Sequence, residues 1–384
     1  MSYMTDERKM IQQTARDFTM NEVLPVANKL DPVEGEIPMD LRDKMGELGY
    51  FGILIPEEYG GLGLGAFEYA LVAEELARGW MSVASIIARG NGVYGDISEE
   101  QRRKYLPRMA RGEFLGAFSL SEPDAGSDLA NVSCRAVREG DEYVVNGTKT
   151  WCTFADGADF IHLFARTSPP EEKRRHVGIT QFMIEKERGK LPEGCAGSPI
   201  RKIGYFGWKT WELHFENCRV PASAIIGKEG RGFYTMMAFL EVARVHTAAR
   251  AIGLARGALE DSITYAGRRV QFKRPIGDFQ AIRFKLAEMA ANIEAARQLM
   301  YFVADEVDKK RRCDKEASMV KWFATEMAER VTSDALQIHG GYGYTKDLAI
   351  ERYWRDARLT KIFEGTSQIQ LRIISDRLLG GSGE

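Results

Sequence analysis

The segment Trp211-Glu212-Leu213-His214-Phe215-Glu216 alternates apolar and polar side chains. Successive side chains of a strand point to opposite faces, so this alternation predicts a half-buried β-strand. Upstream, residues 160–165 and 177–184 are rich in β-branched and aromatic types, which suit a pleated sheet. Asn146-Gly147 tolerates positive φ at both positions and predicts a hairpin turn. Residues 114–225 therefore read as a small β-domain.

On either side of it the period changes. Ile282, Leu286, Met289, Ile293, Ala296, Met300, Val303 and Val307 step by four and three, one apolar stripe on a long helix. Val320, Ala324, Met327, Val331, Ala335 and Ile338 make a second stripe; Ile252, Ala255, Leu259, Ile263 and Ala266 make a third. Long amphipathic helices on short connections predict a bundle over residues 226–384. Residues 1–113 read as helices broken by Gly- and Pro-rich turns, most clearly at residues 55–63. The predicted class is mainly α with a small β-domain between two helical ones.

A chain of 384 residues, 44% hydrophobic, exceeds what one core usually holds, in keeping with several domains. A net charge of −2 argues against a nucleic-acid or anionic-membrane surface, though not against a local basic patch for a phosphorylated ligand. The first ten residues carry charges where a signal peptide needs an apolar run. No apolar stretch is long enough for a bilayer. Five cysteines (Cys134, Cys152, Cys195, Cys218 and Cys313) are odd in number and lack a CxxC spacing. A disulfide framework or metal site is not expected, and a reducing compartment such as the cytoplasm is. His162 and His214 sit in strand-like runs and read as structural.

Gly61-x-Gly63-x-Gly65 lacks the spacing of a dinucleotide loop and reads as a turn. Two other segments are more informative. Residues 118–128 run from a strand into a loop dense in small and hydroxyl residues, able to offer backbone N–H groups and Ser oxygens to a polar ligand or simply to form a capped turn. In the second, Glu364 follows the apolar pair Ile362-Phe363 and precedes Gly365, with Thr366 placed to cap the next helix. A carboxylate on an apolar shoulder is expected to have a raised pKa and to serve as a base; the alternative is an exposed Glu at a helix start.

Taken in order, several segments resemble the acyl-CoA dehydrogenase family over nearly the whole chain. They are Ile55-Pro56-Glu57-Glu58-Tyr59-Gly60-Gly61, residues 121–128, Asn146-Gly147-Thr148-Lys149-Thr150-Trp151, residues 337–344, Arg355-Asp356-Ala357 and residues 362–368. The resemblance implies an N-terminal helical domain, a middle β-barrel and a C-terminal four-helix bundle. It implies FAD as cofactor, an acyl-CoA substrate oxidised to the enoyl-CoA, an electron-transfer flavoprotein as acceptor, and a homotetramer. Phe118, Leu120 and Ser121 match positions that meet the flavin ring, and Trp151 and Thr153 match those flanking it. Arg269, Gln271, Phe272, Gln337, Gly340 and Gly341 match contacts to a neighbouring subunit's FAD. Thr366 and Gln368 match contacts to the adenylate and pyrophosphate half of FAD, and Ser127 and Arg244 match the CoA side. Glu364 matches the base that takes the α-proton while the β-hydride passes to flavin N5. Its backbone, with Gly365 beside it, lies where the thioester carbonyl is held.

The chain departs from the family pattern in places. Phe154-Ala155 stands where Asn-Gly is usual, and Lys273 where Gly is usual. The stretch 91–99 is shorter than usual, and with Gly90 and Gly92 it implies an altered acyl pocket and a short to medium, branched or cyclic acyl group. Ala243 occupies the place where some branches carry the base, leaving Glu364 without a rival. Arg89 near the pocket wall could pair with a substrate carboxylate, although a solvated surface side chain is the ordinary reading. An oxidase or monooxygenase on the same fold, or a non-catalytic flavin-binding relative, are the competing functions.

Overall fold

The computed structural model describes residues 3–91 and 97–380. Helices α1 (Asp6–Phe18), α2 (Leu24–Leu30), α3 (Met39–Glu47), α4 (Ala66–Gly79), α5 (Met81–Ile86) and α6 (Glu99–Ala110) come first. The Ser98 hydroxyl accepts from Gln101 N and the Gln101 side chain accepts from Ser98 N, which fixes the start of α6. Nearly every residue of α4 is buried, as expected of a helix at the centre of a helical layer. Its N-terminus is capped from afar: Ala66 N and Phe67 N donate to the Asp308 carboxylate at 2.6 and 3.1 Å. A carboxylate there offsets the helix dipole. A Cβ on Gly65 would lie 2.5 Å from that carboxylate, so the third glycine of the Gly61–Gly65 run serves this cap.

The β-domain is one eight-stranded sheet. Its strands are β1 (Gly116–Ser119), β2 (Arg135–Glu139), β3 (Glu142–Thr153), β4 (Phe160–Arg166), β5 (Ile179–Glu185), β6 (Cys195–Pro199), β7 (Thr210–Pro221) and β8 (Ile225–Ile226). Their order is β6-β7-β3-β2-β4-β5-β8, with β1 parallel to β4. The alternation that opened the reading holds: Leu213 and Phe215 are buried, His214 and Glu216 exposed. Asn146-Gly147 is not the hairpin turn. That turn falls at Gly140-Asp141, since Glu139 faces Glu142 across β2 and β3. Asn146 and Gly147 lie inside β3, at a register shift against β7. Gly147 is needed there because an added Cβ would sit 2.7 Å from Cys134 Cα.

The C-terminal part begins with α7 (Gly232–Arg268), followed by a short hairpin of β9 (Val270–Gln271) and β10 (Arg274–Pro275). Helices α8 (Gln280–Asp308), α9 (Asp314–His339), α10 (Ile350–Thr360) and α11 (Ser367–Leu379) complete the chain. Helices α7, α8 and α9 pack on one another, and α10 and α11 pack on α9. The second predicted stripe is buried throughout; the first is buried from Met289 to Val303 and only half-buried at Ile282, Leu286 and Val307. The third is interrupted at Ile263, which is 53% exposed, and resumes at the buried Ala266. The N-terminal layer is locked to the bundle where α4 crosses α7: a Cβ on Gly253 would stand 2.2 Å from Glu74 O. The buried carboxylates of Glu74 and Glu75 meet Arg297 at 3.0 Å and Arg256 at 2.5 Å.

Candidate active site

Glu364 lies in the turn joining α10 to α11. It has φ 53° and Gly365 has φ 91°, two successive left-handed residues that reverse the chain. Such a conformation is natural for Gly and strained for Glu, and persists only where the surroundings impose it. Here they do. Lys321 Nζ and Gln370 Nε2 both donate to Gly365 O, at 2.6 and 3.0 Å. Ser367 N donates to Lys361 O at 3.0 Å, and the Thr366 hydroxyl caps α11 by accepting from Ile369 N. That cap is the one the sequence predicts. Phe363 anchors the turn against Tyr205, ring centroids 5.9 Å apart.

The Glu364 carboxylate is directed at α7. Thr247 Oγ1 donates to Oε2, and Arg250 Nη2 donates to Oε1 at 2.7 Å. Arg250 is 1% exposed and is steadied by Ser85 Oγ at 2.8 Å. His246, one turn back, is a neutral ring, since burial pushes it down to about 3, and its Nε2 donates to Ala84 O at 2.9 Å. Burial pushes Glu364 up, but the Arg250 charge and the bonds from Thr247 and Arg250 outweigh it, and the carboxyl is held below the usual range. The expected raised pKa is thus reversed. The reason is a guanidinium that apolar flanking residues could not reveal. With 34% of its side chain exposed, Glu364 remains open to a ligand.

The remaining matched positions of the middle segment lie in the β-domain. Lys149 Nζ, buried, donates to Leu120 O at 2.9 Å and to Glu122 Oε1 at 2.8 Å. Glu122 in turn accepts from Ser133 N and Cys134 N at 2.7 and 2.9 Å. This network rigidifies the loop after β1, including Ser121, whose carbonyl accepts from Thr150 N. A bulge in β3 between Lys149 and Cys152 gives Trp151 φ 61° and turns its indole out, 60% exposed. Thr153 follows, its hydroxyl 2.9 Å from Thr210 Oγ1. Phe154 has φ 74°, which accounts for the usual Asn at this place; here its ring is buried 5.9 Å from Trp208.

The remaining residues singled out in the sequence fall elsewhere. Ser127 is exposed on the loop, and Arg244 is buried on α7 near Glu241 and Asp314. Gln368 is exposed in the first turn of α11. Arg269, Gln271, Phe272, Gln337, Gly340 and Gly341 gather at the far end of the bundle, where Arg269 lies 5.7 Å from the Tyr342 ring. All six are exposed. Arg269, the C-cap of α7, is twenty-two positions beyond Thr247, about 33 Å at the helical rise. Gly90, read as pocket wall, packs into the N-terminal layer instead: a Cβ there would meet Phe51 O at 2.4 Å. Gly92 lies outside the described residues. Arg89 is not a solvated surface side chain. It is largely enclosed, 5.8 Å from the Phe118 ring and 5.1 Å from that of Trp208.

Sequence models of the acyl-CoA dehydrogenase N-terminal, middle and C-terminal domains match residues 5–113, 117–218 and 230–379. The chain belongs to the acyl-CoA dehydrogenase family. It is 43% identical to an acyl-CoA dehydrogenase of Bacillus subtilis, over 99% of this chain and 100% of that one. It is 40% identical to the caffeyl-CoA reductase-Etf complex subunit CarC of Acetobacterium woodii, over 98% and 99%. A glutaryl-CoA dehydrogenase from Mycobacterium smegmatis, solved in complex with FADH2, superposes with a TM-score of 0.91 at 28% identity over 99% and 96% of the two chains.

Acyl-CoA dehydrogenases are FAD flavoproteins, and this chain is an oxidoreductase of acyl-CoA. The residues present suit a flavin. The outward indole of Trp151 and the half-buried Phe118 and Leu120 form an apolar, aromatic surface beside the hydroxyl of Thr153. Thr247, Arg250, Lys321, Tyr205 and the Lys149–Glu122 pair escaped the sequence reading. Thr247 and Arg250, three apart and so on one helix face, were the available signal. Among the described residues, no helix is long and apolar enough to cross a membrane.

Proposed function

We propose that this protein interconverts an acyl-CoA and its 2-enoyl-CoA, with Glu364 as the residue that takes the α-proton. The observation behind this reading is the Glu364 carboxylate, ionised and partly open, on a strained turn that four hydrogen bonds hold in place. The α-proton of a thioester is weakly acidic, so the developing enolate needs hydrogen bonds to its oxygen. The Glu364 N–H is positioned by the same turn and serves as one such donor. FAD, when bound, supplies the two-electron acceptor for the β-hydride. Phe118, Leu120, Ser121, Trp151 and Thr153 hold its ring, Thr366 and Gln368 its adenylate half, and Ser127 and Arg244 the CoA. An electron-transfer flavoprotein exchanges electrons with it.

The far cluster of Arg269, Gln271, Phe272, Gln337, Gly340 and Gly341 is about 33 Å along α7 from Thr247, too far to share that flavin. It serves the FAD of a neighbouring subunit in a homotetramer. Phe272 at 88% and Tyr344 at 79% exposed give that end an apolar surface suited to burial between subunits. A stable monomer retaining stoichiometric FAD would overturn this assembly.

Replacing Glu364 by Gln tests the base. The variant keeps size and the backbone donor but cannot take a proton. Anaerobic stopped-flow flavin reduction is expected to slow by at least roughly 10²–10⁴-fold while FAD and acyl-CoA binding persist. Near-wild-type reduction would end the assignment.

A further inference from the structure

Tyr205 is a non-glycine residue in the left-handed region, at φ 59°. Strain of this kind persists where the surroundings over-determine it, and it points to function. Charged side chains hold both of its backbone groups. Tyr205 N donates to Asp356 Oδ1 at 2.6 Å, and Tyr205 O accepts from Lys202 Nζ at 2.8 Å. Asp356 lies on α10 and is 0% exposed. The next residues are tied to the N-terminal layer: Phe206 O accepts from Ser82 Oγ, and Gly207 O accepts from Ile37 N at 2.7 Å. A Cβ on Gly204 would stand 3.0 Å from Asp356 Oδ1, so the chain passes α10 at close range. Residues 202–208, between β6 and β7, thus form a clamp fixed to two other parts of the molecule.

The clamp presents the Tyr205 side chain, 6% exposed. Its ring meets Trp208 at 5.3 Å and Phe363 at 5.9 Å, both edge-on. Phe363 immediately precedes Glu364, so this contact bears on the strained backbone of the turn. The other end of Tyr205 reaches the partner of the carboxylate. Ser85 acts on its hydroxyl through a hydrogen bond, and Arg250 and Glu364 act on it through their charges. Ser85 Oγ donates to Met81 O and accepts from Arg250 Nη1, each at 2.8 Å, which anchors Arg250 to α5 where it meets Glu364 Oε1. Resting on the reading of Glu364 as the base, we infer that Tyr205 is a positioning residue for proton abstraction, holding the Glu364 turn through Phe363 and the Arg250–Glu364 pair through Ser85. A buried aromatic edge contact supplies the first hold, and a hydrogen bond in an enclosed polar network the second. The chemistry is sensitive to such support, since a misplacement of about 1 Å can lower a rate roughly 10²-fold.

The test is a double-mutant cycle read by anaerobic stopped-flow reduction per bound FAD, with whichever of butyryl-, isobutyryl-, glutaryl- and octanoyl-CoA reduces the wild type fastest. Tyr205→Leu is expected to lower the limiting rate at saturating acyl-CoA by at least roughly tenfold. Acyl-CoA affinity should stay within about twofold, as for a site that makes no contact with the ligand. In Glu364→Gln the same substitution should cost at least roughly threefold less, because the base is gone and only its backbone N–H is left to position. An equal loss in both backgrounds overturns the inference and leaves Glu364 as the base; wild-type reduction in Glu364→Gln alone overturns both. A wild-type rate in folded Tyr205→Leu overturns the hold through Phe363. Should that variant not fold, Phe363→Leu removes the same ring contact from the other side and carries the same expectation. Tyr205→Phe keeps the ring, so its limiting rate should stay within about twofold. Its acid limb should move upward, because Arg250 loses part of what anchors it beside the carboxylate. An unmoved limb overturns the hold through Ser85.

Discussion

Arg250 Nη2 stands 2.7 Å from Glu364 Oε1, joining residues 114 positions apart in the chain. The pair brings α7 to the turn before α11 and sets the charge state of the carboxylate. Because Arg250 is almost wholly enclosed while Glu364 is partly open, the guanidinium is the fixed member and the carboxylate the one that can exchange partners.

The first consequence is a pH profile. Glu364 is held below 4.5, so it is already ionised in mildly acidic solution. The second-order rate of flavin reduction reports the free protein. Its acid limb is expected below pH 4.5 in the wild type, and Arg250→Gln should shift that limb upward, because burial then acts without its counter-charge. Stopped-flow reduction across pH 4 to 8 (roughly the span where carboxyls and imidazoles titrate) decides it. A limb that does not move in the variant refutes the electrostatic link.

Lys149 and Glu122 form a buried ion pair, their side chains 0% and 5% exposed. Removing one partner leaves the other charged in a poor environment, typically at a cost of about 3–5 kcal/mol. Lys149→Met is therefore expected to destabilise the β-domain by about that amount in denaturant unfolding. It should also lower flavin content, since the same ammonium holds Leu120 O. Wild-type stability together with full FAD occupancy would contradict this.

The hairpin between β9 and β10 turns on Phe272 and Lys273, with φ 50° and 64°. A two-residue turn with both φ positive favours Gly, and a non-glycine residue there costs about 1–2 kcal/mol. Glycine's extra freedom in the unfolded chain offsets roughly 0.5–1 kcal/mol of that. Lys273→Gly should then stabilise the protein by about 0.5–1 kcal/mol, read as a rise in the unfolding midpoint. A lower midpoint would mean that the Lys273 side chain makes contacts worth more than the strain.

His162 is buried beneath the Phe118 ring, 4.7 Å away, and burial lowers it to about 3 from 6.5. Between those values the unfolded chain holds a proton that the folded one does not, so its contribution weakens as pH falls from 6.5 towards 3. The slope is about 1.4 kcal/mol per pH unit for one group. His246 acts in the same direction, and buried Asp356, pushed up by burial beside Asp31, acts in the opposite one. Comparing wild type with His162→Gln isolates the single term. The variant's unfolding free energy should fall less steeply between pH 6 and 4.5, where most carboxyls still hold their charge (ordinary values near 4). Parallel curves would rule the imidazole out.

Much of the architecture was legible from period alone. The alternation at Trp211–Glu216, the stripe from Val320 to Ile338 and the Thr366 cap are local patterns, and a local pattern suffices to choose a strand, a helix face or a helix start. Asn146-Gly147 misled because its tolerance of positive φ serves a bulge inside β3 as well as it would serve a turn. Nothing within a few residues distinguishes the two; the neighbour that decides is Cys134, on the chain before β2.

What the sequence by itself determined is the order of helical and β-rich parts, the family, and the place of Glu364 before Gly365. Each rests on residues adjacent in the chain, or on motifs recurring in order. The tertiary structure decided the environment: that Arg89 is enclosed, that Gly90 faces Phe51, and that Arg250 reaches Glu364. Burial and charge pairing depend on groups brought within a few ångströms from distant positions. That is why the flanking apolar residues pointed to a raised Glu364 pKa, and a guanidinium on another helix lowered it.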